Sequence, residues 1–240
     1  MQLAGLQKFT LVEGLPQPAC VVFSAGCNYQ CPWCNQTDRL GFQNSKLSEK
    51  YFWQFLQQQQ GKLKTCVVSG GEPTIHEDLP RFLQRIKKMG YQIRLDTNGS
   101  NPELLATLIK NNLVDLISLD IKSPKEKYGY LVGFAEESIY YLLEKINQSL
   151  ELLKESSLNY ELKTTIGTFL TPQDVWQIVH WIRPARKYVL VNFRSQGIAQ
   201  SSFQIFEPYS DEKLINLKEK IAPFFDTCEI RNNMFIPHNF

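Results

Sequence analysis

The sequence predicts an α/β fold, an open and partial (β/α)6 barrel of parallel strands with helices on the outside. Six short β-branched or aliphatic runs carry this: ACVVFS (19–24), TCVVSG (65–70), YQIRLDT (91–97), LISLDIK (116–122), YELKTTI (160–166) and KYVLVNF (187–193). Each has the character of a strand buried on both faces. Helical segments separate them, and strand–helix alternation with right-handed crossovers builds a parallel sheet covered by helices. Size sets the closure: a complete eight-fold barrel takes about 250 residues and eight strands, whereas these 240 residues offer six or seven strand candidates. No Gly-x-Gly-x-x-Gly follows the first run, which argues against a dinucleotide-binding sheet.

Taken in order, the first run leads into a loop with three cysteines. Ser48 is placed to cap a helix through YFWQFLQQQQ to Gly61, the glutamine run being its solvated end. The second run ends in Gly70-Gly71-Glu72-Pro73, and an amphipathic helix from Pro80 to Met89 stops at Gly90. The third ends in Asp96-Thr97-Asn98-Gly99. Asn-Gly is a hairpin signal, but the proline-led helix start at Asn101-Pro102 favours a βα loop. Asp120-Ile121-Lys122 closes the fourth. Lys122, Lys125 and Lys127 read as a solvated loop, and the segment 123–138, with Gly129 and Gly133, is expected to move and close over a substrate. The longest helix falls at 137–154. Thr171-Pro172 and Ser210-Asp211-Glu212 are further helix starts. The chain is expected to be one domain over 1–240, with a core at about 15–195 and a C-terminal extension at 196–240.

Composition excludes several function classes. Twenty-six basic against 24 acidic residues leave a net charge of +2, too little for a nucleic-acid-binding surface. No apolar run approaches the ~20 residues of a membrane span and no secretory h-region opens the chain, so a cytoplasmic protein without membrane contact is expected. In a reducing compartment six cysteines point to metal or redox chemistry. Cys20, Cys66 and Cys228 sit among apolar neighbours and read as small buried hydrophobes. His76, His180 and His238 have no pairing that suggests catalysis, and Arg183, Arg186 and Lys187 read as surface charge.

The remaining three cysteines stand as Cys27-x3-Cys31-x2-Cys34 in FSAGCNYQCPWCNQ (23–36). Zinc would pair cysteines at both ends of its site; here a fourth ligand would have to come from Cys20, His76 or Cys66. A cubane iron–sulfur cluster has four irons, so three thiolates leave one iron open. An open iron beside polar groups suits a small chelate such as the amino and carboxylate groups of an amino acid. Ligands of parallel α/β folds bind beyond the carboxyl ends of the strands. The cysteine loop, the Gly-Gly-Glu-Pro turn, Asp96-Thr97 and Asp120–Lys122 all fall there. Gly70 and Gly71 would let an ammonium approach the main chain, and Glu72 would attract it.

The CxxxCxxC loop followed by GGEP resembles the radical S-adenosylmethionine superfamily. GLQKFTLVEG, LDTNGSNPELLATLIKNNLVD and LDIKSPKEKYGYLVG resemble more narrowly the glycyl-radical-enzyme activating proteins, specifically activators of anaerobic ribonucleoside-triphosphate reductase, over roughly residues 4–195. The resemblance implies a 4Fe-4S cluster on Cys27, Cys31 and Cys34 and reductive cleavage of S-adenosyl-L-methionine to a 5'-deoxyadenosyl radical. That radical would take a hydrogen from a glycine Cα of a partner, an anaerobic ribonucleotide reductase, with flavodoxin or ferredoxin as electron donor. It implies cofactor contacts from Trp33, Cys34, Asn35, Gly70, Gly71, Asp120, Lys122 and Arg194; by their own chemistry Glu72 would favour the cofactor's ammonium and Trp33 offers a flat face on which its adenine could stack. Asp96, Thr97 and Asp120 match positions that hold a monovalent cation in a related activator, although Ser118 replaces its methionine. Asn35 stands where histidine is common, and Lys163 where arginine is. Two other readings stay open: a small-molecule enzyme of the same superfamily such as 7-carboxy-7-deazaguanine synthase, and a non-catalytic zinc-stabilised interaction module.

Overall fold

Eight strands form one sheet in the computed structural model, which describes residues 1–11, 17–34, 47–133, 136–194 and 206–232. They are β1 (Leu3–Leu11), β2 (Pro18–Ser24), β3 (Thr65–Gly70), β4 (Gln92–Thr97), β5 (Leu116–Asp120), β6 (Asn159–Ile166), β7 (Ala185–Asn192) and β8 (Phe225–Asn232), hydrogen-bonded in chain order. β1 runs antiparallel to β2, and β2 to β8 are parallel. The six predicted runs are β2 to β7. The two unpredicted strands are the sheet edges, so the sheet is open. Edge strands escape a search for continuous apolar runs because solvent reaches them: β1 carries exposed Phe9 and Leu11, and β8 (FDTCEIRN) is mostly polar.

The crossovers are helical. They comprise α1 (Glu49–Gln59), α2 (Leu79–Lys88), α3 (Pro102–Lys110), α4 (Lys125–Val132), α5 (Glu136–Glu155), α6 (Pro172–Ile182) and α7 (Asp211–Ile221). The predicted caps are present. Ser48 Oγ accepts from the Tyr51 amide, Asn101 Oδ1 from the Leu104 amide, and Thr171 and Asp174 form a reciprocal capping box. Asn98-Gly99 turns β4 into α3, as the βα reading requires, and α5 is the 20-residue long helix. α4 corrects the expectation of a loop, although Lys125 and Lys127 on it are exposed. Tyr128, Leu131 and Val132 give it a buried face, Lys125 lies over the Trp181 ring, and Lys127 pairs with Asp174 at 2.8 Å.

Strand periodicity sorts side chains onto two faces. On one, Cys20, Val22, Cys66, Val68, Ile93, Leu95, Ile117, Leu119, Leu162 and Leu190 join the helices in one apolar core. Cys20 and Cys66 are fully buried there, in register on β2 and β3, as expected of small hydrophobes; Cys228 is only half-buried. The opposite face, toward β4 to β8, is charged. Glu161 on β6 is 0% exposed and takes both nitrogens of a fork from Arg231 on β8, at 2.7 and 3.0 Å. It also accepts from Arg94 on β4 at 2.8 Å and Ser118 on β5 at 3.0 Å. Lys187 corrects its reading as surface charge, since it turns to this face between Glu229 (2.9 Å) and Glu161 (3.8 Å). Alternate strands lie about 9.5 Å apart, and these long cations bridge that gap across the face.

Burial pushes the Glu161 carboxyl up, but Arg231 and Arg94 outweigh it and bring it down to about 2 from 4.5. A depressed folded-state value means stabilisation present above about pH 4.5 and lost as pH falls through 2. Relative to Glu161→Gln, wild type should therefore lose about 3 kcal/mol of stability between those pH values, an order of magnitude set by the shift. Denaturant titrations of both proteins across this window measure it, and parallel curves would remove the assignment.

Candidate active site

The cysteine loop leaves β2 where the ends of β2 and β3 meet backbone to backbone. Gly71 N donates to Ser24 O (3.1 Å) and Glu72 N to Gly26 O (2.8 Å). A Cβ on Gly71 would lie 1.8 Å from Gly26 O, and one on Gly70, at φ +122°, 2.3 Å from Ser24 N. The Cβ side of both glycines is thus filled by the chain's own backbone, and both are required by packing.

Five further contacts hold the loop. His76 Nε2 hydrogen-bonds Ala25 O at 2.9 Å, a pairing the sequence did not suggest. Asn28 accepts from Asn98 Nδ2 (2.8 Å) and donates to Ser100 Oγ (2.7 Å), tying the loop to the β4–α3 turn. Gln30 N donates to Val132 O at the end of α4, 2.9 Å away. Trp33, 6% exposed, stacks on Phe169 with centroids 4.8 Å apart, and Phe169 meets Phe193 edge-on. Neither Asn28 nor Phe169 stands among the site residues predicted from sequence, and His76 does so only as a fourth ligand in the zinc reading. Only side-chain contacts between distant loops reveal them.

Glu72 is a hub beneath this seam. Its carboxylate is 1% exposed and accepts from Thr74 N (3.0 Å), Thr74 Oγ1 (2.6 Å), Thr97 Oγ1 (2.7 Å) and Asn98 N (2.7 Å). Burial raises its carboxyl against those four donors. Glu72 and Thr97 therefore fix the turns that carry their neighbours. Asp96 and Asp120 lie on the charged face at the ends of β4 and β5. Asp96 takes Arg94 Nε at 2.8 Å and Lys163 at 3.8 Å, and Asp120 takes Lys122 at 3.2 Å and Lys163 at 3.5 Å. Burial works against the Asp96 carboxylate, but Arg94 and Lys163 hold it well below the usual range. Lys122 is 20% exposed and charged despite burial, because Asp120 and Cys31 lie close; this replaces its solvated-loop reading. Arg194 is exposed just past β7, and Asn35 lies outside the described residues.

Cys27, Cys31 and Cys34 are all partly buried free cysteines. Burial pushes the Cys27 thiol up to about 12, helped by Glu72, and the Cys31 thiol up to about 12 against the opposing charge of Lys122. Among the described residues no three His, Cys, Asp or Glu side chains form a group able to hold one metal ion. A cubane differs, because each thiolate takes its own iron.

The family model of the radical SAM superfamily matches residues 21–182, so this chain belongs to that superfamily. Among its relatives is MJ1227 of Methanocaldococcus jannaschii, provisionally named a glycyl-radical enzyme activating enzyme. It is 26% identical over 234 residues, with 95% of each chain covered. The 7-carboxy-7-deazaguanine synthase of Thermococcus kodakarensis is also 26% identical, over 231 residues, with 87% of this chain and 86% of that one covered. Solved structures share the fold. TYW1 with a lysine-pyruvate adduct matches at TM-score 0.61 and 13% identity, over 85% of this chain and 73% of that one. Streptococcus suis SuiB bound to its precursor peptide SuiA matches at TM-score 0.62 and 15% identity, over 87% of this chain and 47% of SuiB. The superfamily implies a 4Fe-4S cluster and S-adenosylmethionine. The donor set fits: three thiols on one loop, Lys122 close enough to Cys31 to favour its thiolate, and a rim of paired charges beside them. Among the described residues no helix is long and apolar enough to cross a membrane.

Two substitutions probe the seam. Gly71→Ala should cost about 3 kcal/mol, the upper range for overpacking, because the obstructing atom is backbone; an unchanged denaturation midpoint would show that the seam yields. Asn28→Ala should cost about 1–3 kcal/mol by stranding Asn98 and Ser100. It should also lower the iron retained per chain after anaerobic reconstitution, read by iron analysis.

Proposed function

We propose that this protein is a glycyl-radical-enzyme activase, whose partner is a large anaerobic enzyme of the ribonucleotide reductase type. The observation that carries this reading is the end-to-end match to MJ1227, covering 95% of both chains. Bound together, cluster and S-adenosylmethionine supply a carbon-centred radical able to abstract a hydrogen atom, here from a glycine Cα. The chain's part is to hold and orient. Cys27, Cys31 and Cys34 ligate the cluster. Lys122 and Lys163, each paired with an aspartate, receive the cofactor carboxylate, and the main chain around Gly70 and Gly71 is the candidate for its amino end. Trp33 orients the loop through Phe169, and Glu72 and Thr97 brace the turns. Asp96, Thr97 and Asp120 are the candidates for a monovalent cation. Arg194 is the candidate for the ribose side, and a flavodoxin or ferredoxin is the electron source.

A second reading rests on the equal identity to the Thermococcus kodakarensis 7-carboxy-7-deazaguanine synthase: a small pterin as substrate. One experiment separates the two. Reconstituted protein, reductant and S-adenosylmethionine are incubated with the glycine-deuterated reductase. The activase reading expects deuterium in 5'-deoxyadenosine and a glycyl radical signal by electron paramagnetic resonance. No transfer, with turnover of a carboxylated pterin, would establish the synthase instead.

A further inference from the structure

β8 lies beyond the residues that match the superfamily, yet it sends Arg231 back into the charged face. From there an unbroken chain of ion pairs reaches the strand ends: Arg231 to Glu161, Glu161 to Arg94, Arg94 to Asp96, Asp96 to Lys163, Lys163 to Asp120, and Asp120 to Lys122. The weak point is Arg94, 4% exposed, whose guanidinium is divided between Glu161 through Nη2 and Asp96 through Nε, both at 2.8 Å. It can be shared because Arg231 already forks both Glu161 oxygens, at 2.7 and 3.0 Å.

We propose that Arg231 is a positioning residue for the site that receives the cofactor carboxylate, a proposal that rests on the cofactor reading given above. Without its fork, Glu161 Oε2 keeps, among the described residues, only the looser Lys187 contact at 3.8 Å, on a side chain that is fully buried. The nearest repair is a turn of the Arg94 guanidinium onto Glu161, which gives up the Nε bond to Asp96. Asp96 then draws on Lys163, and Lys163 leaves Asp120. The cations at the rim move although no residue there has changed. The cysteine loop is held by other contacts and keeps its place. The C-terminal strand thereby sets the geometry of a site built on β4, β5 and β6.

The test uses full-length, anaerobically reconstituted protein and equilibrium dialysis with labelled S-adenosylmethionine, with cluster absorbance and thermal midpoint recorded alongside. Arg231→Met should bind about ten-fold more weakly at unchanged cluster content, and Arg231→Lys, which restores charge without the fork, about three-fold more weakly. The double variant Glu161→Gln with Arg231→Met frees Arg94 for Asp96 and should return to within about three-fold of wild type, even at a lower melting midpoint. A merely structural role would not be relieved by a second loss. Wild-type affinity in Arg231→Met, or a double variant as weak as the single, overturns the proposal. If Arg231→Met does not fold, a folded double variant decides on the same criterion. A wild-type protein that carries its cluster and binds no S-adenosylmethionine overturns the cofactor reading itself, and this proposal with it.

Discussion

Everything at the site depends on how closely the ends of β2 and β3 approach. The contact is backbone on backbone, Ser24–Gly26 against Gly70–Glu72, and it admits no Cβ at Gly71. From that seam the cysteine loop departs in a fixed direction. Below it, Glu72 gathers four donors from its own turn and from the β4–α3 turn, so three consecutive strand ends become one rigid support. A loop that is to hold a cluster would need such support, because a site displaced by an ångström loses its geometry.

The two faces of the sheet divide the labour. The helix-covered face is apolar and carries the core, whereas the other concentrates charge from β4 to β8. Buried charge is costly unless paired and hydrogen-bonded, and here each carboxylate meets more than one cation. Such a network stabilises less than apolar packing of equal volume would. What it provides is a set of basic side chains held in position by ion pairs along the face that ends beside the thiols.

Legibility varied by element. β2 to β7 were readable because each sends a row of aliphatic residues into the helix-covered core, and β1 and β8 were hidden because edges face solvent. α4 was misread because KEKYGYLV shows a weak amphipathic pattern. Its burial comes from Tyr128, Leu131 and Val132 docking beside the cysteine loop, a contact between segments about a hundred positions apart. Glu72 illustrates the same limit at the site. Residue type and place suggested a ligand for an ammonium, while neighbours brought in from β4 occupy both its oxygens.

The sequence by itself determined the class of chemistry: three closely spaced cysteines without a local fourth, placed after the first of a series of parallel strands, admit few uses other than an open cluster. It also determined the strand–helix order, since periodicity and caps are local properties. Only the tertiary structure decided which charges share a face. Arg94, Glu161 and Arg231 are separated by 67 and 70 positions, and pairing between them is a product of strand order and register. Long-range pairs leave no local trace, because each partner alone looks like any charged residue on a strand.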